Sequence, residues 1–306
     1  MASRGVSLLA AISESRSRRH AFDSIRLHPH HNKHDNKPTM NELSHFHAHA
    51  GLLLPTLQTL DVRTLLGIAA ALVLGGIVKG IVSIGVPIIA MPILSQFMPI
   101  KQAVLLLSMP VILGNIPQAL EGGELLPTVR HIAAPLVGTV LGNLVGVSVL
   151  ISLEPHHAQI VAGALLAFAA MLLLISPRFS LAPRWVKPVG FVLGFGAAMM
   201  ESIASIPGPL LAIYLIASGA RGKAFTKQMA VILVVSVITL LIAFRGGAQA
   251  SGFDLLISAA ASVPVIAGIV LARPLRDKLP PHAFRIIVLL FVLVAAAQMI
   301  RKAVGW

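Results

Sequence analysis

The chain has 306 residues, of which 56% are hydrophobic and 11% charged, with a mean hydropathy of +0.87, which is more apolar surface than a soluble domain buries. The absence of cysteine excludes disulfides, thiolate metal sites and cysteine nucleophiles, and the length leaves no room for a separate soluble domain beside several spans of about 20 residues each. The formal charge of +13 comes mostly from Lys and Arg in short loops beyond Val62, and basic loops on a membrane protein report orientation, not nucleic acid.

Residues 1–61 sustain no apolar period and are rich in Ser, Arg, Asn and His, so they are expected to form a basic, disordered tail. The opening MASRGVSLLAAISESRSRR has the Arg/Ser flavour of an organellar transit peptide, against which Glu14 and Asp23 count. Eight of the 12 histidines lie here, including the alternation at His45, His47 and His49. Imidazoles gather soft cations, but a metal site needs ligands held in fixed geometry, and nothing in this segment would hold them. The bland reading of the tail is a solvated low-complexity segment.

From Val62 to Met98 the apolar run is too long for one crossing and short for two, with Gly80, Gly85 and Pro87 in its middle; a broken helix pair is expected. Lys101 to Leu120 forms the next segment. Thr128 to Ser152 follows with small residues at Gly138, Gly142 and Gly146, a spacing that lets helices approach closely. His156 to Ser176 closes a first half at 62–176, and a Pro- and Arg-bearing linker covers 177–188. The second half, 189–306, repeats the plan with a broken run at 189–218 and segments at 222–244, 253–272 and 282–301. The corner before the last segment of each half also recurs, as Pro155-His156-His157-Ala158 and Pro280-Pro281-His282-Ala283. The predicted architecture is an all-α polytopic membrane protein with about eight embedded segments in two homologous halves.

The two broken runs are related in detail. Lys79 to Pro92 reads KGIVSIGVPIIAMP, and a shift of 122 residues lays Glu201 to Tyr214, ESIASIPGPLLAIY, over it, matching Ile81 with Ile203, Ser83 with Ser205, and Pro87 with Pro209. Repeats broken at the same place, with Lys79 in one copy opposite Glu201 in the other, point to a two-fold transporter. If both runs cross the membrane, the basic residues near segment ends divide evenly; if both turn back as re-entrant hairpins, they divide 11 against 5. The positive-inside rule therefore favours returning hairpins and inverted repeats.

A break at depth survives only inside protein or beside a water-filled cavity, and a short helix starting there aims free N–H groups at an anion. The candidate substrate-binding residues are accordingly Ser83, Gly85, Val86 and Pro87 at the first break and Ser205, Pro207, Gly208 and Pro209 at the second. Lys79 and Glu201, the charges well inside embedded segments, join them, as does Asn115 from the polar set Asn115, Gln118 and Asn143. The bland alternatives are a structural ion pair between Lys79 and Glu201 and local backbone bonding by the serines. Met199 and Met200 read as packing. No Walker, HExxH or GxSxG pattern occurs, so neither ATP hydrolysis nor the common hydrolase chemistries have support; the chain is read as a non-enzyme without cofactor.

From Thr64 to Lys302 the chain resembles the sulfite exporter TauE/SafE-like transporters, in which each half opens with a Gly-rich broken helix followed by Pro and aliphatic residues. GGIVKGIVSIGVPIIAMPIL and GFGAAMMESIASIPGPLLAIYL occupy those places. The resemblance implies secondary transport of a small organic or inorganic anion such as sulfite or a sulfonate, by a multi-pass protein of the bacterial inner membrane. The expected partners are the lipid bilayer, the anionic substrate and protons as coupling ion, with a homo-oligomer as a further expectation. The other class left open is a divalent metal-cation permease that collects ions on its His-rich tail.

Overall fold

The computed structural model describes residues 61–82, 85–123, 125–175, 180–247, 250–276 and 280–305, together with Leu52, Leu53, Pro55 and Gln58. The reading of the remainder of 1–61 as a tail, and the placement of Ser83, lie outside the described residues. Among the described residues twelve helices run in order: α1 (Val62–Val82), α2 (Pro87–Leu94), α3 (Ile100–Leu120), α4 (Leu125–His131), α5 (Ala133–Ser152), α6 (Pro155–Ile175), α7 (Pro183–Ala204), α8 (Gly208–Ala217), α9 (Gly222–Gly246), α10 (Gly252–Ala260), α11 (Ser262–Arg276) and α12 (Pro281–Val304). Eight helical stretches are long and apolar enough to cross a membrane, and the protein is an all-α, integral multi-pass membrane protein. Two segments expected to be continuous are each divided, at Ile132 between α4 and α5 and at Ala261 between α10 and α11. Large apolar side chains such as Leu66, Ile175, Val192, Ile242 and Ile287 stand exposed on the outside, as a lipid-facing surface requires.

Asp61 caps the start of α1: its side chain accepts the Thr64 N–H at 2.9 Å and its carbonyl accepts the Leu65 N–H at 3.1 Å. Hydrogen bonds from the Thr64 hydroxyl first, and the Thr64 N–H second, hold the exposed Asp61 carboxyl below the usual carboxylate range. From there α1 runs to the first break, and α2 comes back along it. A Cβ on Gly75 of α1 would lie 2.9 Å from the Val86 side chain, and one on Gly67, two turns earlier, would lie 2.9 Å from the ring of Phe97, which follows α2. Contacts that descend along one helix while ascending along the other define an antiparallel return. The second run repeats this. Gly190 of α7 packs on the Tyr214 ring of α8 while Gly196 faces Leu210, and the hairpin closes where the Leu181 N–H, just before α7, donates to the Ala217 carbonyl at 2.9 Å. Each broken run is therefore a hairpin that ends on the side where it began.

The main helix contacts join the halves: α1 lies on α11, α7 on α5, α3 against α9, and α6 against α12. First and third segments exchange partners between the halves, which is the pattern that a two-fold relation produces. Small residues make the first two pairings. A Cβ on Gly76 would fall 2.2 Å from the Val265 carbonyl oxygen, one on Gly268 would fall 2.2 Å from that of Val73, and one on Gly138 would fall 2.2 Å from that of Phe191. Helices this close gain dispersion and backbone contact where hydrophobic burial offers nothing, lipid being as apolar as leucine. The two short helices are packing centres: every residue of α2 except Ile93 is buried, and Leu211, Tyr214 and Leu215 of α8 pack with Val231 and Ile232 of α9.

Two outcomes follow for this architecture. Gly76→Val and Gly138→Val each drive a side chain into facing backbone, and should lower the detergent melting temperature by an amount equivalent to about 1–3 kcal/mol or more; Gly208→Ala, whose Cβ meets nothing within 4 Å, should not. In this cysteine-free chain, Ser180→Cys and Lys223→Cys should label with a membrane-impermeant maleimide from one side and Ser152→Cys from the other. Labelling of the first two from opposite sides would overturn the returning hairpin.

Candidate functional site

At the first break, Val86 is 1% exposed and Pro87 is buried, while Gly85 is exposed. In the first turn of α2 the N–H groups of Ile88, Ile89 and Ala90 are taken. Ile88 donates to the Gly85 carbonyl at 3.3 Å, and Ile89 and Ala90 donate to that of Val86 at 3.3 and 3.1 Å. Pro87 has no N–H. The tightened first turn of α2 thus engages the donors of Ile88, Ile89 and Ala90, while the Gly85 and Val86 N–H groups meet no carbonyl among the described residues.

The second break differs. Ser205 ends α7 in the left-handed conformation at φ 61°, the one non-glycine residue with positive φ among the described residues. Its N–H donates to the Glu201 carbonyl at 2.7 Å, the Ile206 N–H reaches the Met200 carbonyl at 3.5 Å, and its hydroxyl makes no hydrogen bond. Pro207 and Pro209 carry no N–H and the Leu211 N–H closes on Pro207, so Gly208 and Leu210 present the donors that no backbone carbonyl takes up at the mouth of α8. Around Gly208 a Cβ would meet open space. Of the two helix starts, this one retains the features of an anion site.

Glu201 lies four residues before Ser205 and is 2% exposed. Its Oε2 accepts the Ser236 hydroxyl of α9 and the Asn143 amide of α5, the latter at 3.2 Å. The same amide reaches the Ser236 carbonyl and Oγ, both at 2.8 Å, and the Ser202 hydroxyl donates to Asn143 Oδ1 at 2.8 Å. Four buried polar side chains from three helices thus satisfy one another, as a low-dielectric interior demands. No ion pair joins Glu201 to Lys79. Lys79 is half-buried on the last turn of α1, with Nζ 3.5 Å from the Gly114 carbonyl of α3. The structural pair weighed from the sequence is therefore not formed. Asn115 is buried and donates to the Val111 carbonyl of its own helix at 2.7 Å.

These two contacts are nevertheless counterparts. Lys79 and Gly114 are 35 residues apart, as are Glu201 and Ser236, and the shift of 122 carries one pair onto the other. Each half sets the charge at the end of its first helix against the same point of its second segment, with opposite sign.

Sequence reasoning missed Ser202 and Ser236, which look like ordinary helix serines; the repeat register, laying Ser236 over Gly114, was the signal available. It also missed Asp254, 1% exposed, whose place in the S-x-x-D capping box opening α10 was legible. The Asp254 carboxylate accepts the backbone N–H groups of Leu52 and Leu53 at 3.1 and 2.7 Å, and so holds the segment before α1 onto the bundle. Ser258 meets a different need. Pro110 leaves the Leu106 carbonyl without its helical donor, and the Ser258 hydroxyl supplies one at 2.9 Å while accepting the Met109 N–H at 3.0 Å.

The family described as sulfite exporter TauE/SafE matches residues 68–299, which span both breaks, Lys79, Glu201 and the Asn143–Ser236 cluster. The chain belongs to this family. No curated protein and no solved structure matches it. Members of the TauE/SafE family are membrane transporters, so the site lies in a protein that moves solutes.

The left-handed Ser205 yields a test of the second break. A non-glycine residue there carries about 1–2 kcal/mol of backbone strain, so Ser205→Gly should raise the melting temperature in detergent and Ser205→Val should lower it. A Ser205→Val protein as stable as the parent would show that this turn bears no strain.

Proposed function

We propose that this TauE/SafE chain is a secondary transporter of a small oxyanion such as sulfite or a sulfonate, coupled to a proton carried by Glu201. The observation that carries the reading is the matched placement of Lys79 and Glu201, one cation and one carboxyl at equivalent positions of two hairpins. A lysine with only a carbonyl at 3.5 Å beside it has charge to offer an anion. A carboxyl enclosed by neutral hydrogen-bonding groups bears its own charge at high cost once cut off from water.

The mouth of α8 suggests how the two ions are coupled. Gly208, Leu210 and the unbonded Ser205 hydroxyl offer donors to an oxyanion, and Glu201 is joined to that turn through the Ser205 N–H. A negative Glu201 repels an anion seated there; a protonated one does not, and its Ser236 and Asn143 partners hold it in place in either state. Proton and anion then bind together and leave together. Lys79 adds long-range attraction from the other half. Among the described residues the buried carboxylates are Glu201 and Asp254, and Asp254 is occupied by backbone N–H groups, so no path of acids for a divalent cation accompanies this site.

Proteoliposomes screened with sulfite, sulfonates, thiosulfate and small carboxylates under an imposed pH gradient provide the test. One proton per monovalent anion moves no net charge, so a gradient of about one unit sustains roughly tenfold accumulation whatever the membrane potential. Glu201→Gln should retain facilitated equilibration and lose the response to the gradient; Lys79→Ala should abolish uptake. A Glu201→Gln protein that still follows the pH gradient would reject the proton carrier. Anion uptake that survives in Lys79→Met with Glu201→Met would reject both roles.

A further inference from the structure

The corner between α5 and α6 brings together Glu154, His156 and His157, all exposed, with one donor atom of each within 4.8 Å of the others. His157 Nδ1 stands 3.6 Å from Glu154 Oε2. That is too long for a hydrogen bond, yet close to the roughly 3.3–3.5 Å separating two ligands of one tetrahedral zinc ion at bond lengths of about 2.0–2.2 Å. Adjacent residues on a helix normally diverge, but the His156 and His157 ring centroids are 3.9 Å apart and tilted by 47°, so the two imidazoles lie against each other. The backbone beneath them is held. The Glu154 carbonyl accepts the Ala158 N–H at 2.9 Å, and Lys101 Nζ ties the Ile151 carbonyl to the start of α3 at 2.9 Å. The equivalent corner of the second half, Pro280-Pro281-His282-Ala283, has one histidine and no acid.

We propose that Glu154, His156 and His157 form a surface site for a divalent transition metal ion of the zinc class, with the fourth position open to water. Two imidazoles and a carboxylate are a donor set that zinc, nickel and copper accept and that the hard ions magnesium and calcium do not favour. The carboxylate also offsets the positive pole at the start of α6. The corner lies at the end of the bundle where α1 begins. The first hairpin returns the chain to the side where α1 begins, α3 starts there, and Lys101 binds the corner to it; Leu52 and Leu53, anchored on Asp254, precede α1 on that side.

Carbethoxylation by diethyl pyrocarbonate, followed residue by residue with mass spectrometry on the full-length protein in detergent, reads this site separately from the tail. Saturating Zn2+ should slow modification of His156 and His157 by about tenfold or more, while exposed His131, at the other end of the bundle, should be unaffected. Glu154→Gln should shift the half-protecting Zn2+ concentration upward by about tenfold or more, and His157→Ala should leave His156 unprotected; an unchanged His131 rate in both variants checks that they fold. Protection confined to the tail histidines would overturn the site. So would an unaltered protection curve in Glu154→Gln, or protection of His156 that survives in His157→Ala.

Discussion

Lipid offers no hydrogen bonds, so a helix interrupted at depth must have protein or a water-filled cavity around the interruption. Two interruptions organise this chain, and each is enclosed by the opposite half: α1 rests on α11 and α7 on α5, through glycines that leave no room for a Cβ. This is why neither half is a self-contained unit. The elements flanking each break find their closest partners across the two-fold relation, and the short helices α2 and α8 become centres of packing with little exposure to lipid. Proline and glycine, which would weaken a soluble helix, are tolerated here because a neighbour supplies what they remove, as Ser258 does for the Leu106 carbonyl beside Pro110.

Within that common frame the halves divide the electrostatic work. The first break engages the donors of Ile88, Ile89 and Ala90 and keeps a lysine against a carbonyl; the second leaves donors at Gly208 and Leu210 and keeps a carboxyl within a cage of amide and hydroxyl groups. A symmetric scaffold thereby presents an asymmetric site. The asymmetry rests on few residues: α5 brings Asn143 to Glu201, whereas among the described residues half-buried Lys79 has one hydrogen-bond partner, the Gly114 carbonyl. The proton coupling we propose requires two charges that do not neutralise each other, and no ion pair joins Lys79 to Glu201.

Much of the fold was legible because membrane helices advertise themselves through length and hydropathy, and because an internal repeat doubles every weak signal. The break at Gly85–Pro87 alone is a curiosity; recurring at Gly208–Pro209 with a charge ahead of each copy, it marks a centre. The TauE/SafE resemblance rested on the same residues. Less legible were features that depend on which helices meet. Ser236 and Ser202 carry no local mark of burial beside a carboxyl, and Asp254 lies near a segment end, where a charge is usually solvated.

Composition and periodicity by themselves determined that this is a polytopic helical membrane protein, that it is built from a repeat shifted by 122 residues, and that Lys79 and Glu201 sit at its two breaks, since embedded charge and embedded proline are costly enough to be conspicuous in one dimension. Only the tertiary structure decided that the two charges do not pair, that the donors of α2 are satisfied while those of α8 are not, and that Glu201 is held by α5 and α9. Those outcomes depend on helix rotation and on contacts between residues as many as 93 positions apart, to which a hydropathy pattern is blind.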